Sequence, residues 1–322
     1  MLVALAGGVG AAKFLRGLLR AQHPGDVVVI GNTGDDLRMH GLAVSPDLDS
    51  VAYTLAGVAD EERGWGLAGE TWNVRDALER LGEPGWFALG DRDIATHLLR
   101  TRMLHEGASL SAATAELCRR LGVPVRLVPM SDQRVETRVE VDGPDGPLDL
   151  GFQEWWVGRQ ARDPVRAVRF AGVERARPAP GVLEALAGAG GVLFCPSNPV
   201  VSIAPILAVP GIRAAVAAAP CRVVAVTPIV GGAPVRGMAD KLLPAWGAEV
   251  SARGVAGLYA GLADAFVLDT VDAGQAADVA ALGLEPVVAP TLMRTVEDAA
   301  ALAKAALEAL GGGPGNPEGV PR

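Results

Sequence analysis

Residues 2–6 read LVALA, residues 7–13 read GGVGAAK, and residues 14–19 read FLRGLL. A short apolar run, a glycine-rich turn and a helical pattern in this order predict a strand that passes through a tight turn into a helix. Glycines let the backbone approach an anion closely, and the start of a helix offers free N–H groups and the positive end of its dipole. A tight turn that binds nothing would use the same residues. The candidate phosphate contacts are Gly7, Gly8, Gly10 and Lys13.

This turn differs from two common nucleotide-binding fingerprints. Its first two glycines fit the dinucleotide pattern, but Lys13 stands where the third glycine belongs, and no Gly-Lys-Ser/Thr follows as in a Walker loop. Asn32 also stands where a protein that binds NAD carries an acidic ribose ligand. An NAD-dependent oxidoreductase is therefore disfavoured.

The composition limits the class of protein. Half of the 322 residues are hydrophobic, and the formal net charge is −8, which argues against a general nucleic-acid binder because phosphate contacts need clustered Lys and Arg. The three cysteines lie far apart and predict neither a zinc site nor a disulfide framework. No apolar stretch reaches the roughly 18 residues of a membrane span, and no basic leader precedes the first strand. We expect a cytoplasmic protein with no nucleic-acid or membrane partner.

Further apolar runs predict a mostly parallel sheet. Residues 26–30 form a β-branched run, and similar runs follow much later in the chain, at 191–195, 222–226, 265–269 and 286–289. With helices between them, they predict a Rossmann-like α/β fold with helices on both faces of the sheet. Ligands of such sheets bind beyond the carboxyl ends of the strands, so the loop at 31–36 is expected beside the first glycine turn.

The middle of the chain has a different character. Residues 61–175 hold five of the six tryptophans, helical patterns near 73–81, 93–105 and 109–121, and an alternating run at 135–141. We predict a mainly helical insertion with a small hairpin. The predicted division is a core of residues 1–60 and 176–310, the insertion 61–175, and a disordered Gly/Pro tail 311–322.

Four aspartates lie close together near the expected ligand edge of the sheet. Carboxylate oxygens beside phosphate favour Mg²⁺, which bridges a few protein oxygens and the phosphoryl oxygens of a substrate. Helix capping or solvation would explain any one of them equally well. The four are Asp35, Asp36, Asp47 and Asp49.

Polar side chains also follow the later strands. Ser197, Asn198 and Thr227 come just after buried runs, where they could bind a base, ribose or phosphate, although turn chemistry explains them too. Arg236 and Lys241 follow a Gly-Gly turn and are possible anion contacts, with a solvated surface as the alternative.

The stretch Gly90-Asp91-Arg92-Asp93-Ile94-Ala95-Thr96-His97 opens a helix with charged residues. Arg92 could clamp a phosphate or carboxylate, and His97 could titrate near neutral pH. The alternative is structural, with Asp91 capping the helix and Arg92 paired with a neighbouring acid. No Ser or Cys nucleophile accompanies His97, so a hydrolase triad is unsupported.

Taken in order over roughly residues 1–300, these motifs resemble the 2-phospho-L-lactate transferase family, called CofD in archaea and FbiA in actinobacteria. The motifs that carry the resemblance are AGGVGAAK (6–13), GNTGDD (31–36), HGL (40–42), PDLDS (46–50), FALGDRDIATH (87–97) and CPSNP (195–199).

The resemblance implies a Mg²⁺-dependent step in deazaflavin coenzyme biosynthesis. A guanosine diphosphate-linked donor would pass its phospholactyl or phosphoenolpyruvyl group to the ribityl hydroxyl of 7,8-didemethyl-8-hydroxy-5-deazariboflavin (FO), forming coenzyme F420-0 or its dehydro form and releasing GMP. Such transfers depend on positioning and charge neutralisation. The motifs do not discriminate between the two donors, and the family likeness suggests a homodimer.

The resemblance also assigns roles by motif. Asp49 looks like the acceptor-contacting and metal-side carboxylate that orients the ribityl hydroxyl, with Asp35 or Asp36 helping to hold Mg²⁺. Arg92 and His97 would contact the acceptor, whose pocket the tryptophan-rich insertion would help to shape. The guanosine diphosphate crevice would be lined by the glycine turn, Asn32, Ser197, Asn198 and Thr227. The rival function is a nucleotide-sugar-binding regulatory protein of the related YvcK type, which shares the first two motifs.

Overall fold

The computed structural model describes residues 1–144 and 146–311. In this part of the chain the strands are β1 (Leu2–Ala6), β2 (Val27–Gly31), β3 (Leu37–Met39), β4 (Leu42–Val44), β5 (Arg126–Pro129), β6 (Glu136–Gly143), β7 (Gly146–Gly151), β8 (Val165–Ala171), β9 (Gly191–Phe194), β10 (Val223–Val226), β11 (Ile229–Val230), β12 (Ala233–Pro234), β13 (Ala265–Leu268) and β14 (Glu285–Val288).

The α-helices of the same residues alternate with these strands. They are α1 (Gly8–Leu18), α2 (Pro46–Leu55), α3 (Asn73–Arg80), α4 (Asp91–His105), α5 (Leu110–Leu121), α6 (Val182–Ala187), α7 (Ala204–Ala208), α8 (Ile212–Ala217), α9 (Ala239–Ala245), α10 (Ala252–Tyr259), α11 (Ala276–Ala281) and α12 (Val296–Gly311). No helix among them is long and apolar enough to cross a membrane. Of the tail expected at 311–322, Gly311 ends α12 and the rest lies outside the described residues.

Seven parallel strands form the main sheet, in the order β14-β13-β10-β9-β1-β2-β5. The chain runs outward from β1 through β2 to β5, and then returns to β9 on the other side of β1 and continues to β14. Leu5 is in register with Ile30 on one neighbour and Phe194 on the other. The direction of winding therefore reverses between β1 and β9, which is where such sheets form a ligand crevice.

The central strands are apolar because both faces of the sheet are covered. All residues of β1, β2, β9, β10 and β13 are buried, and they contribute to two separate apolar clusters, one on each face. This confirms the Rossmann-like fold class predicted from the β-branched runs.

Helix α1 lies between α2 and α12 on one face of the sheet. A Cβ atom added to Gly17 would come within 2.2 Å of the backbone carbonyl carbon of Ala299, so only glycine lets these two helices approach so closely. The helix that follows the glycine turn is thus fixed against the last helix of the described chain.

The segment 61–175 is more mixed than a mainly helical insertion. Its helices α3, α4 and α5 match the predicted positions, and β6 and β7 form the predicted hairpin, to which β8 adds a third antiparallel strand. However, β5 lies in the main sheet, paired parallel with β2. Sequence patterning missed β5 because an edge strand tolerates the polar residue and the proline that begin and end its four residues, RLVP.

Candidate functional site

A cleft of about 1060 Å³ opens at the carboxyl ends of β1, β9 and β10, at the reversal point of the sheet. We call it the main cleft. Its walls are the glycine turn with Lys13, the turn that follows β9, Thr227 after β10, Phe152 and Trp156 from the middle segment, and Thr291 and Met293 before α12. The expected meeting of the first glycine turn and the later turns at one edge is therefore present.

The glycine turn is packed so closely that larger residues would not fit. The backbone N–H of Gly7 donates to Ser197 Oγ at 3.2 Å. A Cβ atom on Gly10 would come within 2.6 Å of the Pro196 carbonyl oxygen, and Gly8 has a φ of +71°. The N-terminus of α1 therefore faces the cleft with its backbone exposed to a ligand, and Lys13, whose side chain is exposed, lies one turn along the same helix.

Two carboxylates face this turn inside the main cleft. Asp35 follows β2 and Asp47 lies in the first turn of α2; they are 6% and 8% exposed. Burial raises the pKa of Asp35 well above its usual range, and the nearby charges of Asp47 and Asp36 raise it further. Burial likewise raises the pKa of Asp47 to about 6. We call Asp35 and Asp47 the acid pair.

Amide side chains hold the acid pair in place. The Asn32 amide nitrogen donates to Asp47 Oδ2 at 2.8 Å and to Asp35 Oδ1 at 3.5 Å, and Gln153 Nε2 donates to Asp35 Oδ2 at 2.8 Å. Asn32 also accepts from the Gly34 N–H at 2.8 Å. The hydrogen bonds of Asn32 thus hold the carboxylates and neighbouring backbone groups, and its side chain is not among those that line the main cleft, where we expected a nucleotide contact.

The other two aspartates of the cluster lie elsewhere. Asp36 Oδ2 accepts from Ser45 Oγ at 2.8 Å, and its buried Oδ1 has no hydrogen-bond partner among the described residues. Asp49 forms a buried two-point ion pair with Arg100, with Asp49 Oδ2 3.1 Å from Arg100 Nη1. Of the expected metal ligands Asp35, Asp36 and Asp49, only Asp35 faces the main cleft, and its partner there is Asp47.

Helix geometry explains why Asp47 and Asp49 have different surroundings. Successive residues of an α-helix are rotated by about 100°, so residues two apart point in roughly opposite directions. Asp47 and Asp49 stand two apart at the start of α2, and they do face opposite ways, Asp47 toward the main cleft and Asp49 toward α4. In the sequence PDLDS, the two-residue spacing of these aspartates at a predicted helix start already indicated that they face different ways.

His97 belongs to a buried polar cluster around Asp49. Its Nδ1 lies 3.7 Å from Asp49 Oδ2 and its Nε2 lies 3.3 Å from Asp93 Oδ1. Asp93 also accepts from the Tyr53 hydroxyl at 2.6 Å. His97 is 1% exposed, so in this structure it is enclosed by protein instead of facing a ligand.

Arg92 and Asp91 organise the loops around α3 and α4. The exposed guanidinium of Arg92 donates to the Ala68 carbonyl, and its backbone N–H donates to Glu70. The Asp91 carboxylate accepts from the backbone N–H of Val74 at 3.0 Å, at the N-terminus of α3, and hydrogen bonds led by the Thr71 hydroxyl lower its pKa to about 2. The Asp91 side chain therefore caps α3, and it does not cap α4, the helix in which Asp91 is the first residue. Arg92 does not line the main cleft.

The predicted contacts after β9 and β10 do line it. Asn198 Oδ1 accepts from the backbone N–H of Val200 at 3.0 Å, and no described residue accepts from its amide nitrogen, which is available to a ligand. Thr227 Oγ1 donates to the Ile229 carbonyl at 3.1 Å and so holds the turn after β10. Ser197, Asn198 and Thr227 thus lie where the sequence placed them.

Two more depressions adjoin the main cleft. A groove of about 640 Å³, the side groove, shares Asp35 and Phe152 with it and is also lined by Trp86, Gln153 and three arginines. A second cleft of about 720 Å³, the outer cleft, shares Lys13 with it and is lined by Trp65 and the loop at 60–66. Asp35 of the acid pair therefore lies where the main cleft meets the side groove, whereas of these two depressions Asp47 faces only the main cleft.

The two carboxylates of the acid pair do not by themselves make up a metal site. No group of three His, Cys, Asp or Glu side chains that could hold a metal ion occurs in residues 1–144 and 146–311. Two carboxylates with raised pKa values and no Lys, Arg or His ion-pair partner among these residues nevertheless suit Mg²⁺, which takes one or two protein carboxylates and completes its shell with water and substrate phosphate.

Comparison with known proteins gives a consistent result. The family model described as 2-phospho-L-lactate transferase CofD matches residues 2–298. The chain is 54% identical over 309 residues to a phosphoenolpyruvate transferase of Kitasatospora aureofaciens, with 95% of this chain and 96% of that protein covered. It is 51% identical over 317 residues to a phosphoenolpyruvate transferase of Thermobifida fusca, with 95% and 97% covered.

A solved structure shares the fold. The crystal structure of a UPF0052 family member from Bacillus halodurans superimposes with a TM-score of 0.64, at 18% identity, and covers 95% of this chain and 98% of that one. At this identity the likeness concerns the fold alone.

Proposed function

The chain belongs to the 2-phospho-L-lactate transferase family, and we propose that it transfers a phosphoenolpyruvyl or phospholactyl group from a guanosine diphosphate-linked donor to the terminal ribityl hydroxyl of FO. The hydroxyl oxygen forms a bond to the β-phosphorus of the donor. The bond from that phosphorus to the oxygen of GMP breaks, the hydroxyl proton is released, and coenzyme F420-0 or its dehydro form results. The observation that carries the proposal is the acid pair facing a glycine turn in one cleft.

We propose the enolpyruvyl compound as the native donor. The relatives at 54%, 53% and 51% identity are each named phosphoenolpyruvate transferase. The cleft itself does not discriminate between the donors, since they differ only in the three-carbon acid.

The donor would occupy the main cleft. Its diphosphate would accept hydrogen bonds from the N-terminus of α1 and from Lys13, while Asn198 and Thr227 border the part of the cleft left for the nucleoside. The close packing of Gly7 and Gly10 keeps these backbone groups rigid, so they are positioned before the substrate arrives.

Asp35 and Asp47 would hold Mg²⁺. The ion would neutralise charge on the diphosphate and on the phosphorus during transfer. Asn32 and Gln153 would keep the two carboxylates turned toward the cleft through their hydrogen bonds to Asp47 and Asp35.

The acceptor would enter through the side groove. Trp86 and Phe152 supply aromatic surface for a flat ring system, and Asp35 is shared by the groove and the main cleft. An acceptor bound there would present its ribityl chain next to the acid pair. In this arrangement Asp49 acts only indirectly, by holding α2 to α4 through Arg100.

The test mixes the purified chain with FO, Mg²⁺ and one donor at a time, enolpyruvyl or lactyl, and follows product and GMP by mass spectrometry. We expect both products, with the higher kcat/KM for the enolpyruvyl donor. A parallel reaction without FO controls for donor hydrolysis. If neither donor gives product while the chain binds a nucleotide sugar, the regulatory function of the YvcK type replaces this proposal.

A further inference from the structure

A short hairpin lies at the edge of the main cleft, which is lined by the residues on either side of it. Strands β11 and β12 pair antiparallel through Gly231 and Gly232, which both have positive φ values of +59° and +77°, as a two-residue hairpin turn requires. The Gly231 N–H donates to Asp272 Oδ2 at 2.9 Å and anchors the hairpin to the rest of the fold. The residues after it, 235–239, line the cleft.

Arg236 at the end of this hairpin bridges to a separate loop. Its Nη1 donates to the Gly64 carbonyl at 3.3 Å and its Nη2 to the Arg63 carbonyl at 3.5 Å. Among the described residues no carboxylate pairs with this guanidinium. Both hydrogen bonds are long and the side chain is exposed, so exchanging them for a charged partner would cost little.

The charges that line the main cleft favour an anionic partner for Arg236. Lys13 and Arg236 are the cationic side chains among its lining residues, and Asp35 and Asp47 are the anionic ones. With a divalent ion on the acid pair, the three negative groups of the proposed donor, two phosphates and one carboxylate, still need positive charge. A guanidinium offers a planar pair of donors that matches either a phosphate or a carboxylate.

We propose that Arg236 binds an anionic group of the donor, leaving the carbonyls of Arg63 and Gly64 when the donor enters. The inference rests on the proposed function for the identity of the donor. The bonds to loop 60–66 are then a resting position, and donor binding draws the hairpin segment onto the cleft. Gly237, with a φ of +87°, lies directly beside Arg236 and gives the backbone an adjustable point.

The binding experiment separates the two anionic groups. The full chain and its Arg236→Met variant are titrated calorimetrically with GDP and with the enolpyruvyl donor, in the presence of Mg²⁺ and without FO. If Arg236 binds phosphate, both dissociation constants rise by about 10- to 100-fold, the range for a hydrogen bond to a charged group. If it binds the three-carbon carboxylate, the donor's constant rises by this factor and that of GDP is unchanged.

Kinetics distinguish a substrate contact from a mere tie between two loops. We expect Arg236→Met to raise the KM of the donor and leave the KM of FO unchanged, and Arg236→Lys to recover part of the loss. Arg213→Met, the same substitution of an exposed arginine on α8 outside the three depressions described above, is the matched control.

A second variant tests the resting position. A Cβ atom at Gly64 would come within 2.4 Å of Arg236 Nη1, so Gly64→Ala displaces the guanidinium from the loop. Because Gly64 has a φ of +74°, the change also strains the loop backbone, and its effect beside Arg236→Met measures that strain alone. We expect it to lower the KM of the donor in the wild-type background and to have no effect beside Arg236→Met. An unchanged KM in the wild-type background contradicts the resting position.

Unchanged GDP and donor binding in Arg236→Met overturns the proposal, as does a loss of thermal stability that raises the KM of FO and donor equally. If the wild-type chain binds GDP but transfers nothing, the proposed function has failed. The GDP titration then still decides whether Arg236 binds phosphate.

Discussion

Asp47 and Asp49 stand two residues apart on α2 and differ in their electrostatic surroundings. Asp47 shares the main cleft with Asp35, has its pKa raised to about 6 by burial, and has no cationic partner among the described residues. Asp49 is equally buried but is paired with Arg100 and lies 3.7 Å from His97. A buried carboxylate without a cation can recruit one from solution, whereas a buried carboxylate with its own cation is already neutralised, and breaking that pair destabilises the fold.

Of the changes that test this comparison, removing the divalent cation should have the largest effect on transfer activity. Without it, the acid pair repels the donor's diphosphate, so we expect EDTA to abolish transfer and added Mg²⁺ to restore it. The measurement is GMP release with FO and the enolpyruvyl donor. An enzyme that keeps full activity in EDTA contradicts a metal role for Asp35 and Asp47.

Asp47→Asn should come next. It removes one proposed metal ligand, so we expect kcat/KM to fall by about 10²- to 10³-fold, the cost of losing one electrostatic group at a reacting phosphoryl centre. Thermal stability should be kept or increased, because a buried charge without a cationic partner is lost. Retained transfer with a lower melting temperature would assign Asp47 the structural role instead.

Asp49→Asn should have the opposite effects to Asp47→Asn, with a loss of stability and little loss of activity. It leaves the Arg100 guanidinium buried and without its carboxylate, and such losses cost about 3–5 kcal/mol of folding free energy. Chemical denaturation measures this loss, and we expect the folded fraction to transfer at a rate near wild type.

The double variant Asp49→Asn with Arg100→Met provides the control for this pair. It should be less destabilised than the sum of the single variants, because the two side chains interact directly. If Asp49→Asn is stable and inactive, Asp49 has the catalytic role that the family resemblance implied.

The smallest expected effect concerns the acceptor. Trp86→Ala removes aromatic surface from the side groove and should raise the KM of FO by about tenfold, which corresponds to ~1.4 kcal/mol. Trp65→Ala in the outer cleft is the matched control and should leave that KM unchanged. The reverse pattern would move the acceptor to the outer cleft.

Much of the site follows from topology that the sequence reveals. The contact between Gly7 and Ser197 joins residues 190 positions apart, yet both were predictable because each ends a buried parallel strand. The contact between Gln153 and Asp35 was not predictable. It depends on how the antiparallel sheet β7-β6-β8 packs beside the main sheet, and no local pattern encodes that orientation.

The sequence also did not predict which charged side chains are buried. Arg100 lies on α4 in a run of polar residues typical of a solvated helix face, but it is 2% exposed and reaches Asp49 across the helix interface. The sequence grouped Asp35, Asp36, Asp47 and Asp49 by proximity. The structure divides them by the direction in which each side chain points.

The close contact between Gly17 and Ala299 has a consequence for how the protein is made. The glycine turn is held by β1 between β2 and β9, and its helix rests on α12, so its supports come from both early and late parts of the chain. Because a chain leaves the ribosome from its N-terminus, residues 1–31 must wait for residues 296–311 before their surroundings are complete. The main cleft can therefore take its final form only after nearly the entire described chain has been synthesised.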